Sequence, residues 1–323
     1  MSHQTDLLIV GAGPAGLFAT YYAGFRGLSV TVVDSLPELG GQISALYPEK
    51  AILDVAGFPE VSGRALVANL VEQAASASPT YFLERTAVTL ANRDETVVVG
   101  LDDGTTIEAK AVILTAGIGK FTPRALPAGD GWEGRGLTFF VPSFTEYADK
   151  DVVIVGGGDS AFDWAFHLRD IARSVTLVHR RDAFRAHQAT VDAVLASDVE
   201  VITKAQVTRL VGETSVRSVE ITTNDGEVLT RPADAVIAAL GFIADLGAMQ
   251  QWGLDLDKRH IVVDTAMRTN LPRVFAAGDI TEYPGKVRLI AVGFGEAATA
   301  VNNAAVTIDP AAHVFPGHSS EGS

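Results

Sequence analysis

DLLIVGAGPAGLFATYYAGFRGLSVTVVD, Asp6 to Asp34, reads as strand, tight turn, helix, strand and acidic end. Leu7 to Val10 are an apolar run. Gly11, Gly13 and Gly16 follow in GxGxxG spacing, with Ala15 inside the motif. Gly11 permits the sharp turn off the strand, Gly13 lets backbone N–H groups approach a pyrophosphate with no side chain between, and Gly16 lets helix and strand pack closely. The pyrophosphate then lies on the helix N-terminus, where unpaired N–H groups and the helix dipole favour negative charge. Val30 to Val33 form a second apolar run ending in Asp34, where a carboxylate can accept hydrogen bonds from a ribose diol. A glycine turn can also be purely steric, but the flanking strands, the intervening helix and the spaced acid favour nucleotide binding.

The same design recurs. Asp151 to Val155 read as a strand, Gly156, Gly158, Asp159, Ser160 and Ala161 as a second turn opening a helix, and Val175 to Val178 as a closing strand. His179 stands 23 positions after Gly156, as Asp34 stands 23 after Gly11. The meander behind each unit repeats too: VTRL at 207–210 echoes VTLA at 88–91, Asp225-Gly226 echoes the hairpin turn Asp103-Gly104, and Ala235 to Ala238 echo the returning strand Ala111 to Leu114. Two copies of one dinucleotide-binding unit are far more specific than either motif alone. The copies differ at the ribose-reading position. The second has HRRDAFR, in which Arg180, Arg181 and Arg185 suit a 2′-phosphate through charge-assisted hydrogen bonds, where a carboxylate would repel it. A solvated charge cluster is the alternative; its placement at the end of the closing strand favours NADPH.

The whole chain bounds the rest. Its 323 residues suffice for about two domains, and 47% apolar content with 31 glycines fits an α/β protein. No apolar run approaches the ~18 residues of a membrane helix, and the polar N-terminus leads straight into a strand. The expectation is a cytoplasmic protein with no membrane association. A net charge of −14 argues against nucleic-acid binding. With no cysteine there is no thiolate nucleophile, disulfide relay, cysteine-held zinc or protein-held iron–sulfur cluster, and no metal site is expected.

Between the units lie two informative segments. Residues 35–63 are rich in glycine and proline with no sustained period, an ordered functional loop by composition. Within it Gly40 and Gly41 allow close backbone approach, Gln42 offers donor and acceptor, and Tyr47 is either a ring laid on a flat cofactor or a core tyrosine. Gly63 to Ala77 read as an amphipathic helix. From Gly241 the chain returns to the first domain: VFAAGDI is a strand entering Gly278-Asp279, a carboxylate suited to a polyol. VRLIAVGFGEAATAVNNAAVTI reads as a short strand-like run, a glycine turn and a helix starting near Gly295. That helix N-terminus would stabilise negative charge on a reduced flavin. The tail AHVFPGHSSEGS has no regular pattern and reads as disordered unless docked.

GAGPAG, LGGQ, TAG, GGGDSA, HRR and AAGD, in that order, resemble the two-dinucleotide-fold flavoprotein reductases. Low-molecular-weight thioredoxin reductases share GGGDSA and HRRxxFR, but they carry a CxxC where this chain has no cysteine. LGGQISALYPEKAILDVAGFP, TAGIGKFTPRAL, GGGDSAFDW, HRRDAFRAH, LGF and a tail with HSS resemble instead the thioredoxin-reductase-like ferredoxin–NADP reductases, over essentially the whole chain. The resemblance implies an α/β fold of two Rossmann-like three-layer dinucleotide-binding domains, the NADPH domain inserted into the FAD domain. The implied bounds are 1–118 and 243–323 for FAD and 119–242 for NADPH. It further implies that Asp34, Gln42, Tyr47, Phe121 and Asp279 contact FAD, with Ala87 doing so through its backbone at the adenine end. Tyr47 would cover one flavin face. The other would be covered by the tail of a partner subunit through His318, with Ser319 or Ser320 at the ring edge. A homodimer is implied, although beyond HSS the tail departs from the family's pattern.

The implied activity is that of a ferredoxin–NADP+ reductase: NADPH delivers hydride to FAD, and electrons leave singly to ferredoxin or flavodoxin, with the protein supplying position and electrostatics. Hydride transfer between stacked rings requires no acid or base, so no catalytic side chain is assigned. A hinge at 117–121 and near Gly241 would bring nicotinamide to flavin. An acidic carrier would need a local basic surface, for which Lys120, Arg124, Lys286 and Arg288 are the candidates against scattered solubilising charge. The alternatives are an NADPH-dependent reductase of a quinone, oxygen or a separate dithiol protein, and a flavin/NADPH redox-sensing module.

Overall fold

The computed structural model describes residues 2–117 and 119–317, excepting the side chains of Lys120, Phe121 and Ala244. The chain divides into two compact units: 1–45 with 51–121 and 244–323, and 46–50 with 122–243.

In the first unit β1 (Ser2–Val10) runs through the glycine turn into α1 (Pro14–Phe25), and the chain returns as β2 (Val30–Val33). The strands pair in parallel, Leu7 opposite Val30 and Val10 opposite Val33. Both are buried on the two faces, so their unbroken apolar runs are what a central parallel sheet requires. After the short α2 (Gln42–Leu46) and the amphipathic α3 (Gly63–Ala75), capped by the Ser62 hydroxyl on the Ala65 N–H, strand Thr80–Phe82 extends the sheet beyond β2. On the other side of β1 lies the long strand Thr106–Leu114. Its first half carries the antiparallel meander of Val97–Leu101 and Ala87–Asn92. Its second half pairs in parallel with Val274–Ala276, the strand contributed by the C-terminal return.

The second unit repeats this order with two changes. Strands Glu200–Thr203, Ser174–His179, Asp151–Gly156, Ala235–Ala239 and Leu137–Thr138 form an all-parallel sheet, with α4 (Asp159–Leu168) and α5 (Gln188–Leu195) in the connections. Its outer strand Leu137–Thr138 comes before the glycine turn in sequence, whereas its counterpart in the first unit, Val274–Ala276, comes near the end of the chain. The meander Ala205–Gly212, Val216–Thr223 and Val228–Pro232 is here a separate three-stranded sheet.

The period of two along Asp151–Gly156 divides its core between two layers. Val152 and Ile154 pack with Phe162, Ala165 and Leu168 of α4, while Val153 and Val155 pack with Val207, Val219 and Ile221 of the meander. Each such fully buried Val or Leu contributes about 1.5–3 kcal/mol.

The two connections between the units, Lys120–Pro123 and Phe242–Asp245, pair as a two-stranded ribbon. The segment 290–308 is one continuous helix, α6 (Ile290–Ile308), where the sequence pattern suggests a strand-like run and a turn before a helix at Gly295. Gly293 lies inside that helix, where a Cβ would meet Gly278 Cα and the Ala15 methyl at ordinary contact distances of 3.5 and 3.6 Å. Burial of the face formed by Ala297, Ala300, Val301 and Ala304 outweighs the weak helix propensity of its glycines.

Candidate cofactor sites

The first site is built around the β1–α1 turn. Gly11 has φ +111°, and a Cβ on it would stand 2.5 Å from the Thr115 carbonyl oxygen. A Cβ at Gly16 would stand 1.9 Å from the Gly11 carbonyl oxygen, so only glycine admits the helix this close to the strand end. Gly13 differs, with open space around its missing side chain. It is the N-cap of α1, makes no side-chain cap and is followed by Pro14, so the first N–H groups of the helix stay available for an anion.

Three other segments converge on this turn. Gly41 lies so close to Gly13 that a Cβ would come within 2.9 Å of its Cα, and the Gln42 amide lies against Gly117. Gly278 packs on Ala15. Asp34, 9% exposed, accepts the Ala12 N–H at 2.6 Å on Oδ2 and the Leu36 N–H at 2.8 Å on Oδ1. Burial pushes its pKa up, and the N–H groups of Leu36, Ala12 and Ser35 oppose that rise. The carboxylate therefore braces the glycine turn and its own loop, a duty the motif does not reveal, and keeps acceptor capacity for a diol. Ala87 starts a strand reached from Phe82 to Arg85, a run bonded to Asp34 and Leu36: the Asp34 N–H reaches the Phe82 carbonyl and the Arg85 N–H the Asp34 carbonyl.

Asp279 is partly exposed and makes no side-chain hydrogen bond among the described residues. A groove of about 580 Å³ is lined by residues 53–59 and by Ala291 in the first turn of α6. It is therefore the uncapped start of α6 at Ile290, and not Gly295, that opens beside this groove. Tyr47 is half-buried and stands in the 46–50 segment that groups with the second unit, where Lys50 forms an ion pair with Asp163 of α4 at 2.7 Å. The Phe121 ring, His318, Ser319 and Ser320 lie outside the described residues.

The second site is built the same way. Gly158 caps α4 with open space around it and no side-chain cap. A Cβ on Gly156 would stand 2.5 Å from the Ala239 carbonyl oxygen, and Ala161 fills the place taken by Gly16 in the first turn. The HRRDAFR loop folds back on this turn: the Arg185 N–H reaches the Gly157 carbonyl at 2.8 Å, and the His187 N–H reaches Asp159 Oδ1 at 2.9 Å. Phe184 packs edge-on against the buried Phe162 at 4.7 Å, and the His179 ring fills the space over Gly157. Asp159 thus holds the loop, while Ser160 is exposed in the first turn of α4.

The pinned loop leaves Arg180, Arg181 and Arg185 exposed, and none of the three has an ion pair or a side-chain hydrogen bond among the described residues. Their charges converge on His179. Burial first, then the three guanidinium groups, hold its imidazole below its usual pKa, against a hydrogen bond with the Ala183 backbone. Uncommitted cations at the end of the closing strand fit a phosphorylated ribose, as Asp34 fits an unphosphorylated one.

One set of residues behind the first site escapes sequence reasoning. Glu296 is buried on the inner face of α6 and accepts the Gly278 N–H at 2.7 Å, the Tyr283 hydroxyl at 2.5 Å and the Lys286 ammonium. The only signal in the sequence is an acid three residues after Gly293, on the apolar face of a helix. Lys286 is itself buried, with 1% of its side chain exposed, and Arg288 pairs with Glu282 at 2.6 Å. Lys286 therefore cannot serve a basic docking surface, and Arg288 is already neutralised; the patch expected from sequence is not formed by these two.

A model of the pyridine nucleotide-disulphide oxidoreductases matches residues 5–304. The chain is 74% identical to the ferredoxin–NADP reductase of Nocardioides sp. over 324 residues, covering 99% of this chain and 98% of that protein. It is 62% identical to that of Salinispora arenicola over 320 residues, covering 99% of each. Among solved structures it is similar to the thioredoxin reductase of T. acidophilum, with a TM-score of 0.78 and 27% identity, covering 94% of this chain and 98% of that one. The chain belongs to the pyridine nucleotide-disulphide oxidoreductases and, within them, to the ferredoxin–NADP reductase family. It is a two-domain α/β flavoprotein reductase that binds FAD and NADP(H).

Proposed function

We propose that this chain moves electrons between NADPH and a ferredoxin or flavodoxin, with FAD on the first unit and NADPH on the second. One observation carries the assignment of the two cofactors: three uncommitted arginines stand at the ribose-reading position of the second unit, and a buried carboxylate stands at that position in the first. FAD, when bound, supplies the conversion between a hydride pair and single electrons. The chain's own residues hold and orient. Gly13, Gly41 and the start of α1 receive the FAD pyrophosphate, Asp34 its ribose, Ala87 its adenine and Asp279 its polyol. Gln42, Tyr47, Phe121 and the start of α6 serve the ring. Gly158, Ser160 and the start of α4 receive the NADPH pyrophosphate, and Arg180, Arg181 and Arg185 its 2′-phosphate. With no cysteine, electrons do not pass through a dithiol of this chain.

The proposed assembly is a homodimer in which His318, Ser319 and Ser320 cover the partner's flavin, and the proposed location is the cytoplasm, beside the NADPH pool. Among the described residues no helix is long and apolar enough to cross a membrane. The test is anaerobic NADPH titration of the FAD-loaded protein, followed by turnover with ferredoxin, flavodoxin, a quinone, oxygen and a dithiol protein. Bleaching of the flavin band and fastest turnover with ferredoxin or flavodoxin are expected. Faster turnover with a quinone, oxygen or a dithiol protein would replace the carrier. Slow turnover with all of them beside a conformational response would indicate a redox sensor.

A further inference from the structure

The Gly278–Asp279 turn is held from behind by a buried ion pair. Glu296 and Lys286 have 4% and 1% of their side chains exposed, and each also binds one peptide group of Gly278. Glu296 Oε2 accepts the Gly278 N–H at 2.7 Å, and Lys286 Nζ donates to the Gly278 carbonyl at 3.0 Å. The Thr281 hydroxyl, with one proton to give, lies 2.8 Å from the Gly278 carbonyl and 3.4 Å from Glu296 Oε2. Tyr283 closes the set at 2.5 Å from Glu296 Oε1, and burial followed by this carboxylate raises its phenol to about 12. Gly278 needs such restraint, because its φ of +84° is open to glycine across a wide range and nothing in its own side chain limits it.

A buried ion pair is a poor source of stability, since desolvating two charges offsets most of their attraction. Here both charges are directed at one residue of backbone, the residue that precedes the uncommitted Asp279 carboxylate. We propose that Lys286 and Glu296 are positioning residues for the flavin cofactor: they fix the Gly278 peptide groups and thereby hold Asp279 where the FAD polyol is bound. The inference rests on the assignment of Asp279 to FAD made above. The pair is also electrically neutral, so it stiffens the turn without placing net charge behind the cofactor.

The test compares FAD binding by folded apoprotein, titrated by quenching of FAD fluorescence, with the apoprotein's own melting temperature. In Lys286→Met/Glu296→Gln both charges are removed with little change in shape, and the new side-chain amide retains an acceptor for the Gly278 N–H. This variant is expected to keep the melting temperature of the apoprotein within about 3 °C, because replacing a buried pair by neutral groups is often neutral. It is expected to bind FAD about tenfold more weakly. Glu296→Gln alone leaves the Lys286 ammonium unpaired and is expected to lose more; should it fail to fold, the double variant still decides. FAD binding by the folded double variant within twofold of the parent would overturn the proposal. A merely structural role would instead lower the melting temperature and leave the affinity of the folded apoprotein unchanged, which also overturns it. Asp279→Ala separates this from failure of the underlying assignment. Weaker FAD binding in Asp279→Ala beside unchanged binding in the double variant refutes the positioning role alone, whereas unchanged binding in Asp279→Ala refutes the assignment on which it rests.

Discussion

Arg180 and Arg181 follow the last residue of a central strand, and their loop is pinned by Phe184 and by the Arg185 and His187 N–H groups, so their guanidinium groups stand free of protein partners among the described residues. A hydrogen bond to a charged group is worth about 1.5–3 kcal/mol. Arg180→Ala and Arg181→Ala should each raise KM for NADPH by roughly 10- to 100-fold while leaving KM for NADH unchanged, as steady-state kinetics with both coenzymes would show. His179 gives the same cluster a pH signature. Its pKa is lowered in the fold by burial and by three arginines, so between the folded value and the ordinary value near 6.5 the unfolded chain binds more protons. Stability should therefore fall as pH drops through that window. His260, lowered by burial and Arg288, acts with the same sign. Melting curves from pH 7.5 to 5 should show a shallower loss in His179→Asn than in the parent.

Among the elements, the strand–turn–helix of the first unit is held by an approach that no side chain survives. With 1.9 Å between a Cβ on Gly16 and the Gly11 carbonyl, and 2.8 Å to the Thr115 hydroxyl, α1 must move for any substitution. Gly16→Val should destabilise the protein by about 3 kcal/mol or more and abolish FAD retention, measured by chemical denaturation and by flavin absorbance after gel filtration. The corresponding position in the second unit is Ala161, fully buried, so that helix already tolerates a methyl group. At the other end of α1, Arg26 donates to Asn302 Oδ1 at 3.0 Å and to the carbonyls of His313 at 2.8 Å and Val314 at 3.3 Å. The outgoing chain, which reads as disordered from composition, is tied down there by one side chain 287 positions away in sequence.

At the scale of the whole molecule, charge decides how a carrier is met. A net charge of −14 repels an acidic protein, and two of the four cations that might have offset it locally are committed, Lys286 inside the first unit and Arg288 to Glu282. The rate of ferredoxin reduction at limiting carrier should rise as salt is added from about 10 to 100 mM, because screening removes more repulsion than attraction. A steep fall would show a basic docking surface elsewhere.

The two units themselves were legible in the sequence. Strand, turn and helix are written in short-range periodicity and in glycines whose spacing follows from covalent geometry, and the repeat placed Asp34 and His179 at equivalent steps. The three arginines of the proposed 2′-phosphate site were legible as charged residues at the end of an expected strand. Tertiary structure alone decided the rest. It drew Val274–Ala276 of the first sheet and its counterpart Leu137–Thr138 of the second from opposite ends of their units, merged an expected strand, turn and helix into α6, and turned Lys286 from a surface cation into the buried partner of Glu296. The reason is that the local sequence of these residues is equally content elsewhere: a two-residue strand, a glycine-bearing helix and a lysine in a loop acquire their roles only from the surface they bury against.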